Sequence, residues 1–315
     1  MTIYKIFGAV AISASVAMTA YAGNFELIRY GDFNSWLIRN IKESSLIGGD
    51  RRKCYAIAPD GVDNTGNAYT NRGGSPWGSS NVLASPAGVT KVSNAVYPDV
   101  HEGHGRCARL VCQYEHVKVL GMVNMDVIAG GTIFTGQMLE PIKSTKNPYS
   151  KMNMGIPFTR RPKALQFDYK VLIPAGGTRI YSSGFGKKKT IQGSDHAEAF
   201  VLLQRRWEDA EGNIYAKRVG TGREKYRAST SGWVNGHRMK IIYGQTGAPM
   251  DLIASSNSYY ARNSKGKMVP VKEVGWDADG TPTHMIVMFS ASGGEPYVGT
   301  PGLTLWVDNV GLWYE

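Results

Sequence analysis

Apolar and polar residues alternate along several segments in the second half of the chain. In residues 165–173 this period of two predicts a half-buried strand that ends at the turn of residues 174–177. Residues 197–207 and 214–219 flank a polar turn and predict a β-hairpin. Further strands are predicted at residues 237–243, 283–290 and 303–314. No helical stripe exceeds two turns, so the pattern predicts an all-β protein made of two antiparallel sheets packed as a sandwich.

A different composition marks residues 59–105, which are rich in Gly, Ser, Asn, Pro and Asp. A structureless loop of that length would be unusual in a compact domain, so we expect an ordered, strand-poor excursion around the sandwich. The residues expected to hold it are Trp77, Val82, Leu83 and Tyr97. No linker composition divides the chain, and residues 23–315 are therefore predicted to form a single domain.

Composition and charge narrow the possible classes of protein. The 315 residues are 42% hydrophobic and 19% charged, which excludes a disordered chain or a mini-protein held by disulfides. The 38 glycines and 17 tyrosines favour short strands and tight turns. Lys and Arg number 36 against 25 Asp and Glu, a net charge of +11 that suits an anionic polymer. No nucleic-acid-binding module is found, and nucleic acid is not an expected partner.

The first 22 residues have the parts of a secretory signal peptide. Lys5 supplies the positive charge, residues 6–18 are apolar without an acidic residue, and Ala20-Tyr21-Ala22 precedes the expected cleavage before Gly23. The apolar run is too short to span a bilayer, and no later segment reaches that length. We therefore expect a periplasmic or secreted protein with no integral membrane segment after cleavage. The absence of a cysteine after the cleavage site argues against a lipid anchor.

Three cysteines, Cys54, Cys107 and Cys112, allow at most one internal disulfide. Cys107 and Cys112 fall in one predicted strand, where an offset of five points the side chains to opposite faces, so they cannot pair with each other. Unpaired, buried thiols are favoured, with a disulfide as the alternative.

Several motifs that suggest chemistry fail on their spacing. His101 and His104 are one residue too close for a zinc-binding HExxH helix, and the glycines around His104 favour a loop over a metal site. An EF-hand starting at Asp277 would need Glu where Met288 stands, so a hairpin turn is favoured. Residues 187–189 are three lysines, for which a solvated loop tip is expected and contact with an anionic polymer is the alternative. Sequence spacing does not locate a pair of catalytic carboxylates, because such pairs are defined in space.

Tryptophans in polar surroundings are the candidates for sugar binding, since indole stacks on the C–H faces of sugars while polar neighbours bind the hydroxyls. Trp77 with Asn81, and Trp233, lie among small polar residues, and Trp207 and Trp233 adjoin turns. We therefore predict Trp77, Asn81, Trp207 and Trp233 as carbohydrate-binding residues. Core packing is the competing interpretation for each tryptophan.

The segment Gly155–Pro162, followed by the strand with Phe167, Tyr169 and Lys170, resembles the central signature of the putative carbohydrate metabolism domain family. Further segments resemble the family in the same order: Pro76–Asn81, Ala108–Leu110, Phe134–Gly136 and Gly302–Val310. The resemblance implies a jelly-roll β-sandwich similar to carbohydrate-binding modules, in exported proteins of gut bacteria that handle complex glycans. It implies a substrate class and no reaction.

The resemblance also suggests roles for a few residues. Arg161, held extended by Pro162, is expected to bind a cluster of backbone carbonyls, with a bound ligand as the alternative target. Residues 31–36 and 307–310 resemble the paired terminal strands of carbohydrate-binding jelly rolls, so residues 303–314 are expected to pair close to Phe33. Asp308 in that seam is the candidate ligand of a structural Ca²⁺, with an ordinary surface aspartate as the alternative.

Three functions remain open from the sequence. The first is an exported protein that binds poly- or oligosaccharide without cleaving it. The second is a glycoside hydrolase or polysaccharide lyase that uses acidic residues in a groove. The third is a structural or adhesive surface protein.

Overall fold

The computed structural model describes residues 23–69, 71, 73–119, 123–184, 186–249, 259–293 and 296–314, and the predicted signal peptide lies outside these residues. Within them the chain is all-β, with only three 3₁₀ helices of four residues or fewer: Ser45–Ile47, Pro86–Gly88 and Pro148–Lys151. No helix in these ranges is long and apolar enough to cross a bilayer. The predicted fold class is thereby confirmed.

The strands are numbered in chain order. Those of the N-terminal half are β1 (Asn24–Leu27), β2 (Trp36–Lys42), β3 (Arg51–Ile57), β4 (Gly61–Asp63), β5 (Trp77–Ser79), β6 (Val82–Ala84), β7 (Lys91–Ser93), β8 (Val96–His101), β9 (Gly105–Val119), β10 (Val123–Gly130), β11 (Thr132–Met138), β12 (Met152–Met154) and β13 (Ile156–Pro157). Those of the C-terminal half are β14 (Ala164–Leu172), β15 (Ile180–Tyr181), β16 (Ser183–Gly184), β17 (Lys189–Thr190), β18 (Ala197–Glu208), β19 (Ile214–Tyr226), β20 (Val234–Lys240), β21 (Ile242–Tyr243), β22 (Tyr260–Arg262), β23 (Met268–Trp276), β24 (His284–Ser290), β25 (Val298–Gly299) and β26 (Thr304–Tyr314).

The first large sheet has the order β16-β10-β9-β26-β14-β20, with β1 paired to β26 and β8 to β9. The C-terminal strand β26 therefore lies inside the sheet. Its Val310 exchanges backbone hydrogen bonds with Ile28 (3.0 Å) and Gly31 (2.8 Å). Phe33, two residues beyond Gly31, is fully buried. The predicted pairing of residues 303–314 close to Phe33 is confirmed.

The second large sheet closes on itself. Strands β24, β18, β19, β23, β22, β12 and β11 are joined in that order, and β11 pairs with β24 again to complete a barrel. The hairpin of β18 and β19 is confirmed, but β12–β22 and β19–β23 are parallel pairs, so the prediction of two purely antiparallel sheets is corrected. Both parallel pairs lie among the strands that close the barrel, a closure that a flat two-sheet sandwich does not have. Every residue from Ala197 to Gln204 on β18 is buried, so this strand has a core on each of its faces.

Two hydrophobic cores result from this arrangement. One lies between the first sheet and the barrel wall and includes Phe167 and Phe289, whose rings meet edge to face with centroids 4.9 Å apart. The other fills the barrel and includes Phe200, Leu202 and Ile286. Successive residues of β18 thus enter the two cores alternately. The result is a sandwich-like arrangement of layers, as the period of two in the sequence predicted. The finer jelly-roll order of strands stays a prediction.

A buried ion pair holds the segment between residues 59 and 105, which contains the five short strands β4 to β8 and so is less poor in strands than predicted. Arg39 on β2 contacts Glu140 through two hydrogen bonds of 2.6 and 3.0 Å, and the side chains are 2% and 1% exposed. The same carboxylate accepts the backbone N–H groups of Tyr69 (2.8 Å) and Leu83 (3.0 Å). One buried charge therefore joins the small sheet β3-β2-β4 to the glycine-rich excursion.

Two local predictions can be compared with the structure around residue 277. Arg161 donates to the carbonyls of Gly280 (2.7 Å) and Ala278 (2.6 Å), so its expected role in binding backbone carbonyls is confirmed. Residues 277–280 do form a turn, closed by the Gly280 N–H and the Asp277 carbonyl. The predicted hairpin is wrong, because β23 and β24 are separated in the sheet by β18 and β19.

Cys54, Cys107 and Cys112 are free and buried, which confirms the favoured interpretation of unpaired thiols. Burial raises the pKa of Cys54 and of Cys107 to about 12 and raises that of Cys112 as well. The thiols therefore stay protonated and unreactive at neutral pH.

Candidate functional site

Two of the four predicted carbohydrate-binding residues are in the interior. Trp77 is 1% exposed, its indole N–H donates to the Arg29 carbonyl (3.0 Å), and its ring packs against Phe33. Asn81 is buried, accepts the N–H groups of residues 95 and 96, and donates to the carbonyls of residues 55 and 96. The expectation that these two face a ligand is corrected by their burial, since neither presents a free polar or aromatic surface.

Trp207 lies on the surface. Its side chain is 43% exposed, and its ring is parallel to that of the cross-strand residue Tyr215, with centroids 5.8 Å apart and 18° between the planes. The ammonium group of Lys272 lies 5.3 Å from the centre of the Tyr215 ring. The pair forms a small flat aromatic platform at the end of the β18–β19 hairpin.

Trp233 and Asp308 come together around His101, the last residue of β8. The His101 ring is stacked between Trp233 (3.7 Å between centroids) and His104 (4.1 Å), and His101 Nδ1 lies 2.8 Å from Asp308 Oδ2. Residues 102–104 form a tight turn, as expected. Burial raises the pKa of Asp308 to about 7 and lowers that of His101, so burial favours the uncharged form of each partner.

Asp168 on β14 completes this group, which we call the histidine cluster (His101, His104 and Asp168). One ligand atom from each of the three residues lies within 4.8 Å of the others. Asp168 is paired with Asp308 in the β14–β26 register and accepts hydrogen bonds from the Gly236 N–H (2.6 Å) and the Asn309 amide (2.7 Å). Asp308 itself is buried against an imidazole nitrogen, so it is not an ordinary surface aspartate.

A polar groove of about 600 Å³ opens between β3, β7 and β9. We call it the tyrosine groove. The residues that line it are Glu43, Arg51, Arg52, Lys53, Tyr55, Lys91, Val92, Asn94, Tyr97, Tyr114, Glu115 and His116. It combines aromatic rings, amide and hydroxyl groups and several cations, which are the groups that recognise sugars.

The tyrosines of the groove are fixed by a hydrogen-bond network. Tyr97 donates to the carbonyl of Asn94 (3.0 Å), and the Gln113 amide donates to Tyr97 Oη (3.1 Å) and to Glu115 (2.9 Å). Burial raises the pKa of Tyr97, so the hydroxyl remains a donor at neutral pH. The rings of Tyr55 and Tyr97 meet edge to face, with centroids 6.0 Å apart.

Two carboxylates lie in the same groove. Burial raises the pKa of Glu115, against the effect of Lys91, whose ammonium group lies 3.5 Å from a carboxylate oxygen. Glu43 is also buried, and it accepts the backbone N–H of Val92 (2.9 Å). Proximity to Glu43 adds to the rise in the Glu115 pKa, so the two groups interact.

A second cavity of about 290 Å³ adjoins the groove, with Lys91 and Glu115 lining both. Its wall is mostly apolar and includes Met125, Met138 and Met288. Such a wall leaves sugar hydroxyls without partners, so the groove fits a carbohydrate better than this cavity does.

Residues 50–313 match the family described as putative carbohydrate metabolism domain. The chain belongs to this family. Membership confirms the resemblance seen in the sequence and assigns a carbohydrate-related domain. No curated protein has a significantly similar sequence.

Two solved structures are similar to this member of the putative carbohydrate metabolism domain family. A putative glycoside hydrolase from Bacteroides thetaiotaomicron VPI-5482 is 18% identical, with a TM-score of 0.47, over 88% of this chain and 71% of that one. A putative glycoside hydrolase from Bacteroides vulgatus ATCC 8482 is 15% identical, with a TM-score of 0.43, over 93% of this chain and 96% of that one.

Sequence reasoning missed the tyrosine groove of this family member. A usable signal was the run of three cations at residues 51–53 followed by Tyr55 in one strand. Tyr97 was expected only to hold the glycine-rich segment, and Tyr114 had no assigned role. The tyrosines line one groove because β3, β8 and β9 lie next to one another in the folded chain.

Proposed function

We propose that the protein is an exported glycan-binding protein and that the tyrosine groove holds an oligosaccharide segment bearing acidic groups. The observation that carries the proposal is the combination, in one open groove, of three tyrosine rings with amide, hydroxyl and cationic groups. Rings supply faces for the C–H surfaces of sugars, and the polar groups supply partners for hydroxyls. The family, which is carbohydrate-related, agrees with this assignment.

The cations favour an acidic glycan over a neutral one. Arg51, Arg52 and Lys53 are exposed and follow one another along β3, beside the aromatic rings. Carboxylate or sulfate groups on a sugar would form charge-assisted hydrogen bonds with these side chains. The net charge, which is +11 for the whole sequence and +10 without residues 1–22, would also attract such a polymer from a distance, to an extent that salt reduces.

A second candidate function is glycoside hydrolysis in the same groove. It is favoured by one observation, the presence of Glu115 with a raised pKa next to a second carboxylate, Glu43. A hydrolase needs a carboxyl group that keeps its proton near neutral pH and a second one that is ionised. Glu115→Gln would then stop the release of reducing ends and leave binding in place.

A glycan array run in parallel with a reducing-end assay tests both functions. Arg51→Ala/Lys53→Ala removes two exposed charges of the groove, and Lys265→Ala/Lys267→Ala removes two exposed charges in the turn between β22 and β23 as a matched control. Losing two contacts of about 0.5–1 kcal/mol each predicts a roughly 5–30-fold weaker affinity for acidic glycans in the first variant only.

Equal affinity of the two double variants would contradict the placement of the ligand in the groove. Trp207→Ala and Trp233→Ala are then the informative variants, because they test the aromatic platform and the ring stack on His101. Turnover of a bound glycan by the wild type, lost in Glu115→Gln, would replace the binding function by hydrolysis.

A further inference from the structure

We propose that His101, His104 and Asp168 bind a divalent transition metal ion of the Zn²⁺ type, and that Asp308 orients His101 for this role. The site is independent of the tyrosine groove. Two imidazoles and one carboxylate are a common set of protein ligands for such ions, and they leave a coordination position for water or another oxygen ligand.

The three ligand atoms lie near one another, and His104 has to move before they can share one ion. They lie within 4.8 Å of one another, whereas tetrahedral Zn²⁺ with bonds of about 2.0–2.2 Å needs separations of roughly 3.3 Å. His104 can supply the remaining movement. It is exposed and stands between Gly103 (φ 80°) and Gly105 (φ 99°). Its ring is stacked on His101 (4.1 Å between centroids), and it has to turn out of this stack so that a nitrogen in the plane of each ring points at the same ion.

His101 is held in the orientation that metal binding needs. Its Nδ1 faces Asp308 Oδ2 at 2.8 Å, and Trp233 stacks on one side of the ring. Its Nε2 makes no hydrogen bond within the described residues, which leaves this nitrogen open to an ion. A carboxylate behind a histidine ligand fixes the ring and its tautomer in many metal sites, and Asp308 has that position here.

Asp168 can ligate a metal without giving up its present partners. Each of its oxygens accepts one hydrogen bond, from Gly236 or from Asn309, and a carboxylate oxygen has a second lone pair. Asp168 and Asp308 also face each other across neighbouring strands. The ammonium group of Lys170 lies over the rings of Trp233 (5.4 Å) and Trp306 (4.3 Å) and forms no ion pair with Asp168 among the described residues, so a bound dication would supply the counter-charge of Asp168.

The chemistry of the ligands favours Zn²⁺ over Ca²⁺. Calcium takes six to eight oxygen ligands, whereas two of the three ligand atoms here are imidazole nitrogens. The expected calcium role of Asp308 is thus replaced, in this proposal, by a supporting role behind His101.

The test uses the full mature chain, with its affinity tag removed and metals stripped by a chelator. Isothermal titration with Zn²⁺ should give one site, and Co²⁺ should produce the visible absorption of a tetrahedral ion and quench the fluorescence of Trp233, which lies against His101. His104→Ala and Asp168→Asn should weaken the affinity for Zn²⁺ by at least about tenfold. His116→Ala, which removes a different exposed histidine, should not change it.

The ion should also raise the melting temperature of the wild type but not of His104→Ala, because only a ligand bound to the folded state stabilises it. Three results would overturn the proposal: no stoichiometric binding of Zn²⁺ or Co²⁺, equal losses in His104→Ala and His116→Ala, or selective binding of Ca²⁺. Since His104 is exposed, a folding defect does not explain a loss of binding in its variant. Glycan binding in the groove is measured separately and does not depend on the outcome.

Discussion

Glu140→Gln should destabilise the fold by about 3–5 kcal/mol, the range for removing one partner of a buried ion pair. Glutamine has nearly the same volume, so the effect is electrostatic. The substitution leaves the guanidinium of Arg39, which is 2% exposed, without its counter-charge. Burial by itself would lower the pKa of Arg39, but the hydrogen bonds and charge of Glu140 raise it by more, so the pKa is raised overall. The carboxylate therefore outweighs the cost of burying the cation.

The loss should be measured as the free energy of unfolding in urea and, locally, by amide hydrogen exchange. The amides of Tyr69 and Leu83 donate to Glu140, so their protection should fall more than that of the barrel strands. Glu26→Gln is the matched control. It breaks the Arg160–Glu26 pair, whose side chains are 51% and 47% exposed, and should cost less than about 1 kcal/mol.

A double-mutant cycle with Arg39→Met completes the experiment. The double variant should lose at least about 1 kcal/mol less than the sum of the single variants, because the second substitution removes the uncompensated charge. If Glu140→Gln costs no more than Glu26→Gln, the pair does not hold the glycine-rich excursion and the reasoning from burial fails.

Two further predictions follow from burial. Trp77→Ala should cost about 3–5 kcal/mol in unfolding free energy, whereas Trp207→Ala, at an exposed site, should stay within about 0.5 kcal/mol; equal costs in urea titrations would contradict the assigned positions. The pKa of His196 is lowered to about 4 by burial and by nearby cations, so the fold favours the neutral ring. The stability that the neutral His196 ring contributes is fully present above pH 6.5 and is lost as the pH falls towards 4. The free energy of unfolding should fall by at most about 1.4 kcal/mol per pH unit in this range. His196→Gln should flatten this part of the pH profile of stability, measured by unfolding in urea.

Much of the fold could be predicted from the sequence, because the order of apolar and polar residues in a strand depends on which faces of that strand are buried. The period of two in residues 165–173 identified β14, and the polar turn after residue 207 identified the β18–β19 hairpin. The closure of the barrel could not be predicted from the sequence, because it depends on which strands pair with partners distant in the chain. The continuous apolar character at the start of β18 indicates two buried faces, but it does not say that β11 and β24 complete a ring.

The candidate sites were harder to predict from the sequence, because their residues also come from strands that are distant in the chain. His101 and Asp308 are 207 residues apart in the chain, and no local pattern joins them. The spacing of two histidines in a turn correctly argued against a zinc-binding helix. It carried no information on Asp168, which is brought to the same place by a different strand of the sheet.

One signal at this place was nevertheless present in the sequence. In β26 the residues that enter the core are Leu305, Val307, Val310 and Leu312, so the period of two is interrupted by a step of three between Val307 and Val310. The structure has a shift of register there: from Gln166 to Asp168 the strand β14 advances by two residues, while β26 advances by three, from Gly311 to Asp308. Asn309 is the extra residue, and it has a left-handed backbone conformation (φ 49°).

Such a bulge changes the direction of side chains, and here it places Asp308 against His101. An interrupted period that holds two polar residues therefore predicts a bulge, and the polar side chains at a bulge are the first candidates for a site.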